Sequence, residues 1–289
     1  MKTTSRLFLC LFCLTLPLAS GYANEGEATV QTNATEQERK AGERMTLTIK
    51  DVEYAFRWCP AGTFMMGSSP DPPGWRSDKQ PHQVTLLQGF WMLETEVTQA
   101  MWESVMGKNP SHFKGTKLPV ESVSWDDCQE YIKKMNALLA GAPGAPAGLK
   151  FSLPTEAQWE YACRAGTATG LNNGKQLTGV MICTNLNKLG WYRANSKDKT
   201  HDVGQKEANA WGLRDMHGNV GEWCSDWYDD RPGGAVTDLT GALQDPCRVV
   251  RGGTWFTYAE LCVSAGRHPV APLFQSNGIG FRLSLVYEE

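Results

Sequence analysis

The stretch that decides the fold is residues 212–223, which read GLRDMHGNVGEW. Glycine, asparagine and aspartate are dense here, as they are from about Gly166 onward, and neither a helical nor a strand period stands out over this part of the chain. No fixed-period repeat is visible. The pattern predicts one domain in which short elements are wrapped by long ordered loops, and such loops usually need metals, disulfides or buried aromatic side chains to hold them.

The overall composition is that of a globular protein. The chain has 289 residues, enough for two small domains or one large one. Its 29 glycines and 15 prolines indicate many turns and argue against a pure helical bundle. With 28 basic and 31 acidic residues the net charge is −3, so no overall positive field attracts nucleic acid or anionic lipid. We therefore expect no nucleic-acid partner.

The N-terminus has the pattern of a secretory signal peptide. Lys2 and Arg6 precede the apolar run Leu7 to Leu18, which is shorter than the roughly 20 residues that a membrane-spanning helix needs. Small residues suited to signal peptidase follow that run. We predict a signal peptide over residues 1–23, export to the periplasm or the cell exterior, and no stable membrane insertion after cleavage. An uncleaved membrane anchor is the alternative.

The remaining chain divides into a linker and a folded domain. Residues 24–44 are mainly Glu, Thr, Gln, Asn and Ala, which predicts a disordered, solvated linker, and residues 45–289 form the domain. Alternating apolar residues and short apolar runs predict four strands, at residues 46–49, 54–58, 84–87 and 90–93. Three helices are predicted to begin at Thr98, Ser124 and Thr155, and the hydroxyls of Ser124 and Thr155 can cap their helices.

The cysteines and histidines indicate no standard catalytic or zinc motif. Seven cysteines follow the signal peptide, an odd number that leaves at least one thiol unpaired or bonded between chains. The five histidines are scattered, without the i, i+4 pair that is typical of zinc on a helix. A serine nucleophile elbow, a phosphate-binding glycine loop and a dinucleotide fingerprint are also missing from the sequence, so hydrolase and kinase functions lack support.

Seven sequence blocks carry a family resemblance. They occupy residues 62–68, 94–98, 118–125, 153–166, 212–223, 251–255 and 280–282. In this order the blocks resemble the sulfatase-modifying factor family, whose named activity is that of the formylglycine-generating enzyme. The resemblance covers about residues 55 to 286, and it implies a single loop-rich α/β (α+β) domain similar to C-type lectins.

The resemblance implies an oxidation that uses copper and molecular oxygen to convert a sulfatase cysteine to formylglycine. In the family, two cysteines five positions apart hold Cu(I), because soft thiolates suit this ion better than hydroxyl ligands. Counting from Gly253, the second cysteine is Cys262, whereas the first position is Thr257. Thr254 matches a serine near the family's active site. The resemblance therefore gives Cys262, Thr257 and Thr254 as candidate catalytic residues, with Cys262 as the candidate copper ligand.

The resemblance also implies calcium sites. Ca²⁺ prefers six to eight oxygen ligands, and the first site corresponds to residues 212–223. Its ligands would be the following: Asp215, Gly218, Val220 and Glu222. Without the family, this spacing is more typical of a capped turn. A second site would begin at Asn195 and Ser196, where the acidic loop of the family is shortened and Asp198 and Asp202 are the substitutes available.

Two functional hypotheses follow. The first is an exported oxidoreductase of the formylglycine-generating type, acting on a cysteine-bearing sulfatase segment or another small substrate. The second is a non-catalytic, lectin-like module that binds a protein, peptide or glycan partner. Thr257 favours the second hypothesis, because a hydroxyl cannot replace a thiolate on Cu(I). For the first hypothesis to hold, a further thiol such as Cys224 or Cys247 would have to supply the second sulfur.

Overall fold

The computed structural model describes residues 29–30, 39–68, 81–140, 148–229, 235–239 and 245–287. The predicted signal peptide, residues 1–23, lies outside these ranges. Within them, no helix combines the length and the apolar composition needed to cross a membrane.

The described residues form short strands and three α-helices. The strands are β1 (Thr29–Val30), β2 (Arg44–Ile49), β3 (Val52–Cys59), β4 (Gly62–Met66), β5 (His82–Leu86), β6 (Phe90–Leu93), β7 (Leu149–Ser152), β8 (Gly221–Trp227), β9 (Val236–Thr237), β10 (Arg248–Arg251), β11 (Arg267–Val270), β12 (Ile279–Gly280) and β13 (Ser284–Tyr287). The helices are α1 (Gln99–Met106), α2 (Trp125–Ala140) and α3 (Glu156–Arg164). Two 3-10 helices span Leu186–Lys188 and Ala259–Leu261.

The strands form three sheets. The largest has six strands in the order β1-β2-β3-β6-β13-β7, the second has the order β11-β10-β8-β12, and the third has the order β4-β5-β9. Strand β13, from the end of the chain, lies between β6 and β7 and pairs antiparallel with both. This arrangement confirms the predicted single, loop-rich α/β domain.

The helix starts agree with the capping signals. Thr98 caps α1, and its side chain accepts the Met101 N–H at 3.2 Å. The Ser124 hydroxyl accepts the Asp127 N–H at 3.1 Å at the start of α2. Thr155 forms a reciprocal capping box with the residue three positions on. These predictions are confirmed because each cap depends on contacts within one turn of the chain.

Three clusters of buried side chains make up the core. The largest packs α1 and α2 against the six-stranded sheet, with the Trp102 ring stacked on Tyr131 at 5.2 Å and the Tyr131 hydroxyl 2.9 Å from that of Tyr54. The second surrounds α3 and buries Trp159 completely. The third is smaller, lies among the loops and includes Cys262. The long loops thus have a core of their own.

Within the predicted linker of residues 24–44, the structure describes residues 29–30 and 39–44. Thr29–Val30 pairs antiparallel with β2. The Arg39 guanidinium lies 5.4 Å from the Trp58 ring centroid and 5.0 Å from that of Trp91. A backbone ladder and a cation–π contact can both hold a polar segment without an apolar pattern in its sequence, which is why composition did not reveal them.

Candidate functional site

Cys262 lies at the end of a 3-10 helix, in the small loop cluster. Its N–H donates to the Ala259 carbonyl at 3.1 Å, and the side chain is fully buried beside Cys183 and Tyr192 in the same cluster. Gly253 has φ +79°, and a Cβ atom there would lie 2.5 Å from the Cys262 sulfur. A glycine is therefore required at this position, because it lets the thiol approach the backbone of the loop.

The structure brings the three candidate catalytic residues together. The Thr257 Oγ1 atom lies 3.3 Å from the Cys262 Sγ atom. The same oxygen accepts the Thr254 N–H at 2.9 Å and lies 3.1 Å from the Thr254 carbonyl oxygen. The Thr254 hydroxyl in turn accepts the N–H of Phe256 at 3.2 Å. The hydroxyl of Thr257 is thus part of a closed turn, with the sulfur as one of its neighbours.

These residues do not fit a Cu(I) centre. Burial raises the pKa of the Cys262 thiol to about 11, and the hydrogen bonds from Thr257 and the Thr254 backbone only partly oppose this rise. The metal-free thiol is therefore protonated at neutral pH, and a bound Cu(I) would have to displace its proton and would meet the Thr257 hydroxyl as the second donor. All seven cysteines predicted for the mature chain are described, and none forms a disulfide.

Neither alternative thiol belongs to the Cys262 cluster. Cys224 packs in the cluster around α3, with its sulfur 4.0 Å from the Glu222 carbonyl oxygen. Cys247 precedes β10, and its N–H donates to Asp245. The contacts described for Cys262 thus supply a hydroxyl oxygen from Thr257 where the resemblance implies a second sulfur.

His217 anchors the backbone of Cys262, a role that sequence reasoning missed. Its Nδ1–H donates to the Cys262 carbonyl at 2.8 Å, while Nε2 accepts the Asn172 N–H at 3.1 Å. Burial lowers the pKa of His217 to about 4, so the ring is neutral with its proton on Nδ1. Its place within residues 212–223 was the one available signal, because a single histidine has no spacing pattern.

Asp215 lies in the turn predicted to bind calcium. It is 1% exposed and has φ +59°. Its Oδ2 atom accepts the Gly204 N–H at 2.6 Å, whereas Oδ1 is buried without a hydrogen-bond partner. Burial raises the pKa of Asp215 to about 6, and the nearby Glu222 adds to the rise. A buried oxygen with an unused lone pair fits a cation ligand.

Glu222 and Glu96 complete an acidic cluster around Arg282. Both Glu222 carboxylate oxygens lie 2.6 Å from Arg282 nitrogens, and Oε2 also accepts the Trp159 Nε1–H at 2.6 Å. Glu96, which sequence reasoning missed, accepts the Val220 N–H at 3.1 Å, and its pKa is raised by burial and by Asp215 and Glu222. The cluster thus has three buried carboxylates for the guanidinium of Arg282.

The fit of this cluster to calcium is partial. Asp215 offers a free oxygen, but Glu222 is already neutralised by Arg282. Across the part of the chain that the structure describes, no group of three or more His, Cys, Asp or Glu side chains is arranged to hold a metal. Carbonyl oxygens would therefore have to supply much of the coordination.

The predicted second calcium site has a different arrangement. The Asn195 side chain is used within its own loop, since Oδ1 accepts the Tyr192 N–H at 2.8 Å and Nδ2 donates to the Gly190 carbonyl at 3.0 Å. The Ser196 carbonyl accepts the His201 Nε2–H at 2.6 Å. The Asn195 side chain and the Ser196 carbonyl are thus bonded to protein groups, whereas the Ser196 Oγ and Thr200 Oγ1 atoms of the same loop are buried without a hydrogen-bond partner.

Exposed apolar side chains lie on the two chain segments next to Cys183 and Cys262, which share a buried cluster. We call this set the apolar rim, and it consists of Val180, Met181, Ile182, Phe256, Tyr258 and Leu261. The Glu260 N–H donates to the Val180 carbonyl at 3.0 Å, which joins the two loops of the rim. Ile182 is 69% exposed and Met181 is 55% exposed. Sequence reasoning missed this surface because apolar residues are expected to be buried.

A separate cavity of about 420 Å³ lies beside β5, β6, β7 and β13. Its walls include Leu86, Phe90, Lys150, Leu153 and Tyr287. None of the predicted site residues lines it, so this cavity and the Cys262 loops are distinct features of the molecule.

Comparisons with known proteins agree with the resemblance. Residues 50–285 match the family described as Sulfatase-modifying factor enzyme 1-like domain. The chain is 30% identical over 236 residues to the chaperone protein LppX of Paenibacillus barcinonensis, covering 67% of this chain and 78% of that protein. It is 33% identical over 179 residues to the formylglycine-generating enzyme of Streptomyces coelicolor, covering 57% of this chain and 51% of the enzyme. The chain thus spans about half the length of that enzyme.

Solved structures show the same fold. Treponema denticola variable protein 1 superposes with a TM-score of 0.72 and 31% identity, covering 83% of this chain and 98% of that one. PvdO from Pseudomonas aeruginosa has a TM-score of 0.71 and 24% identity, covering 86% of this chain and 99% of that one. The match over residues 50–285 shows that the chain belongs to the family of proteins with a sulfatase-modifying factor enzyme 1-like domain.

Proposed function

We propose that this chain is an exported, non-catalytic member of its family that binds polypeptide segments through the apolar rim. The carrying observation is the Thr257 Oγ1 atom, 3.3 Å from the Cys262 sulfur in the place where the copper enzymes of the family have a second thiol. A neutral, hard oxygen beside a single thiol cannot supply the second of the two thiolates that Cu(I) binds in near-linear geometry. Copper-dependent cysteine oxidation is therefore not the proposed activity.

The exposure of the apolar rim supports a binding role. Large aliphatic and aromatic side chains that are grouped on a surface commonly mark interaction sites. The two segments of the rim also contribute Cys183, Ala259 and Cys262 to one buried cluster, which joins them. The Arg193 guanidinium lies 5.1 Å from the Tyr258 ring centroid and adds a positive charge at the edge. Such a surface suits an extended or unfolded chain with exposed apolar residues.

The comparison with LppX supports the same choice of partner. That protein is named a chaperone, and the aligned region covers 78% of it. A chaperone binds exposed apolar segments of other polypeptides, which is the chemistry that the apolar rim offers. A protein or peptide partner is therefore favoured over a glycan, whose recognition requires exposed polar donors and acceptors beside aromatic faces.

Calcium is part of the proposal as a structural ion at the turn of Asp215. Asp215 Oδ1 and the carbonyls of Gly218 and Val220 would hold it, and Glu222, which is paired with Arg282, would add negative charge beside it. When bound, the ion would neutralise buried carboxylate charge. The turn also positions the candidate site, because the Asn219 carbonyl accepts the Trp255 N–H at 2.8 Å, four residues after the end of β10.

A binding assay with a permanently unfolded protein tests the proposed function. The probe is fluorescently labelled lactalbumin that has been reduced and carboxymethylated. The test variant is Met181→Ser/Ile182→Ser, and its matched control is Leu273→Ser/Phe274→Ser, which removes apolar side chains that are 76% and 52% exposed outside the rim. We expect at least tenfold weaker binding for the rim variant and unchanged binding for the control. Equal binding by both variants, or no binding by the wild type, would contradict the proposal.

A further inference from the structure

The loop of residues 195–204 is closed by a histidine at the place where the family resemblance implies a cation. Ser196 is a predicted calcium-binding residue, and its carbonyl oxygen accepts the His201 Nε2–H at 2.6 Å. A carbonyl oxygen cannot donate, so Nε2 must carry the proton in this contact. The predicted ligand is thus already bonded to a side chain of its own loop.

The imidazole of His201 is held in place from several sides. Its ring stacks on the Trp191 indole, with centroids 3.8 Å apart and an interplanar angle of 13°. The backbone N–H of His201 donates to Asn219 Oδ1 at 2.9 Å, and Asn219 Nδ2 donates to the His201 carbonyl at 3.1 Å. The imidazole of His201 is therefore already oriented to donate to the Ser196 carbonyl, and little conformational freedom is lost when this hydrogen bond forms.

The segment that this contact closes has an unfavourable backbone. Lys197 and Asp198 are consecutive non-glycine residues in the left-handed region, with φ +56° and +55°. Such a pair persists only where the surrounding contacts determine it. The bond from His201 to Ser196 spans this pair, and both lysines of the segment, Lys197 and Lys199, are exposed.

We propose that His201 replaces the family's second cation as the cross-link of the loop 195–204. The asparagine that would begin the cation site is engaged elsewhere in the loop, and the contact that a metal would make with the Ser196 carbonyl is made by an imidazole N–H. The His201 contact thus cross-links the loop without a metal, and the Ser196 Oγ and Thr200 Oγ1 atoms, which are buried without a hydrogen-bond partner, are the oxygens left for a cation.

The cross-link also has a path to the loop of Cys262. His201 is bound to the side chain of Asn219, whose carbonyl accepts the Trp255 N–H. The Arg193 N–H, near the start of the same loop, donates to the Thr257 carbonyl at 3.0 Å. A loop fastened by His201 thus supports the turn of Thr254 and Thr257 from two directions.

Limited trypsin digestion of the full chain tests this inference. Cleavage after Lys197 and Lys199 reports opening of the loop, and cleavage after the exposed Lys133 and Lys134 of α2 reports global unfolding. For the wild type we expect the ratio of loop to α2 cleavage to be the same in excess EDTA and in millimolar CaCl₂. His201→Phe, which keeps a stacking ring but lacks the N–H, is expected to raise this ratio at least tenfold. His201→Gln, which keeps a donor near the Nε2 position, is expected to fall between them.

Two results would overturn the inference. One is a His201→Phe variant whose loop is cleaved at the wild-type rate. The other is a wild-type loop that is cleaved selectively faster in EDTA, which would mean that a cation holds it. Hydrogen exchange of the wild type needs no variant, and slower exchange in calcium that is confined to residues 195–204 would contradict the proposal in the same way. These readouts are independent of polypeptide binding by the apolar rim.

Discussion

The loop of Cys262 and the turn of Asp215 are both predicted metal sites, yet they differ in whether a buried polar atom is left without a hydrogen-bond partner. At Cys262, a protonated thiol meets a hydroxyl whose own hydrogen bonds are made within a closed turn. At Asp215, three buried carboxylates surround Arg282, and one carboxylate oxygen has no hydrogen-bond partner. The comparison teaches that a family scaffold can lose the donor chemistry of one site while it keeps unsatisfied charge at another.

The largest expected effect concerns the charge balance of the acidic cluster. Arg282→Met leaves Glu222 buried beside Glu96 and Asp215 without the guanidinium. We expect the free energy of unfolding in urea to fall by about 3–5 kcal/mol, as when one partner of a buried ion pair is removed. Lys134→Met, which breaks an exposed pair with Glu130, is the matched control, with an expected change of about 0.5 kcal/mol or less. Similar losses of stability in both variants would mean that the buried acidic cluster depends on Arg282 no more than an exposed ion pair depends on its lysine.

A calcium titration sharpens the contrast at Asp215. Calcium at about 100 times its dissociation constant should stabilise the wild type by about 2.7 kcal/mol, because the ion binds the folded turn only. Asp215→Asn removes the charge of the carboxylate that has the free oxygen, and we expect it to lose most of this gain. The measurement is the melting temperature with calcium and with EDTA. An identical shift in wild type and variant would place any bound calcium elsewhere.

The hydroxyl of Thr257 should have a smaller effect on stability. Thr257→Val removes the acceptor of the Thr254 N–H, and we expect a loss of about 1–2 kcal/mol in the free energy of unfolding. Thr257→Ser keeps the hydroxyl and serves as the control, with stability close to that of the wild type. A neutral effect of Thr257→Val would show that the turn does not depend on this hydroxyl.

The pH dependence of thiol reactivity gives the finest test of the Cys262 loop. Since the folded pKa of Cys262 is raised to about 11, its thiolate fraction at pH 8 is on the order of one in a thousand. The rate of alkylation by iodoacetamide, followed at Cys262 by peptide mass spectrometry, should rise about tenfold per pH unit from pH 8 to 10. A rate that levels off near pH 8 or 9 would indicate an ordinary thiol and a more open site.

The parts of the molecule that sequence could predict are those set by local contacts. The caps at Thr98, Ser124 and Thr155 and the strand at residues 90–93 follow from residues within a few positions of one another. The ordered sequence blocks likewise identified the family and its fold.

The missing parts depend on distant contacts. Glu96 meets Asn219 across 123 positions, and Arg282 meets Glu222 across 60. The apolar rim was not predicted either, because apolar side chains such as those of Met181 and Ile182 are usually expected to be buried. Thr257 was identified as a candidate site residue from its position in the sequence, but the hydrogen bonds that close its turn with Thr254 were not predicted.

The central claim is that the Cys262 loop lacks the second soft donor that copper chemistry requires. The most direct measurement is a Cu(I) titration of the wild type and of Thr257→Cys under reducing conditions, followed by mass analysis of a cysteine-bearing sulfatase peptide incubated with each protein and oxygen. We predict no stoichiometric copper and no aldehyde product with the wild type, and tight copper binding only after the second thiol is introduced. Stoichiometric copper on the wild type, together with conversion of the peptide cysteine to an aldehyde, would contradict the account.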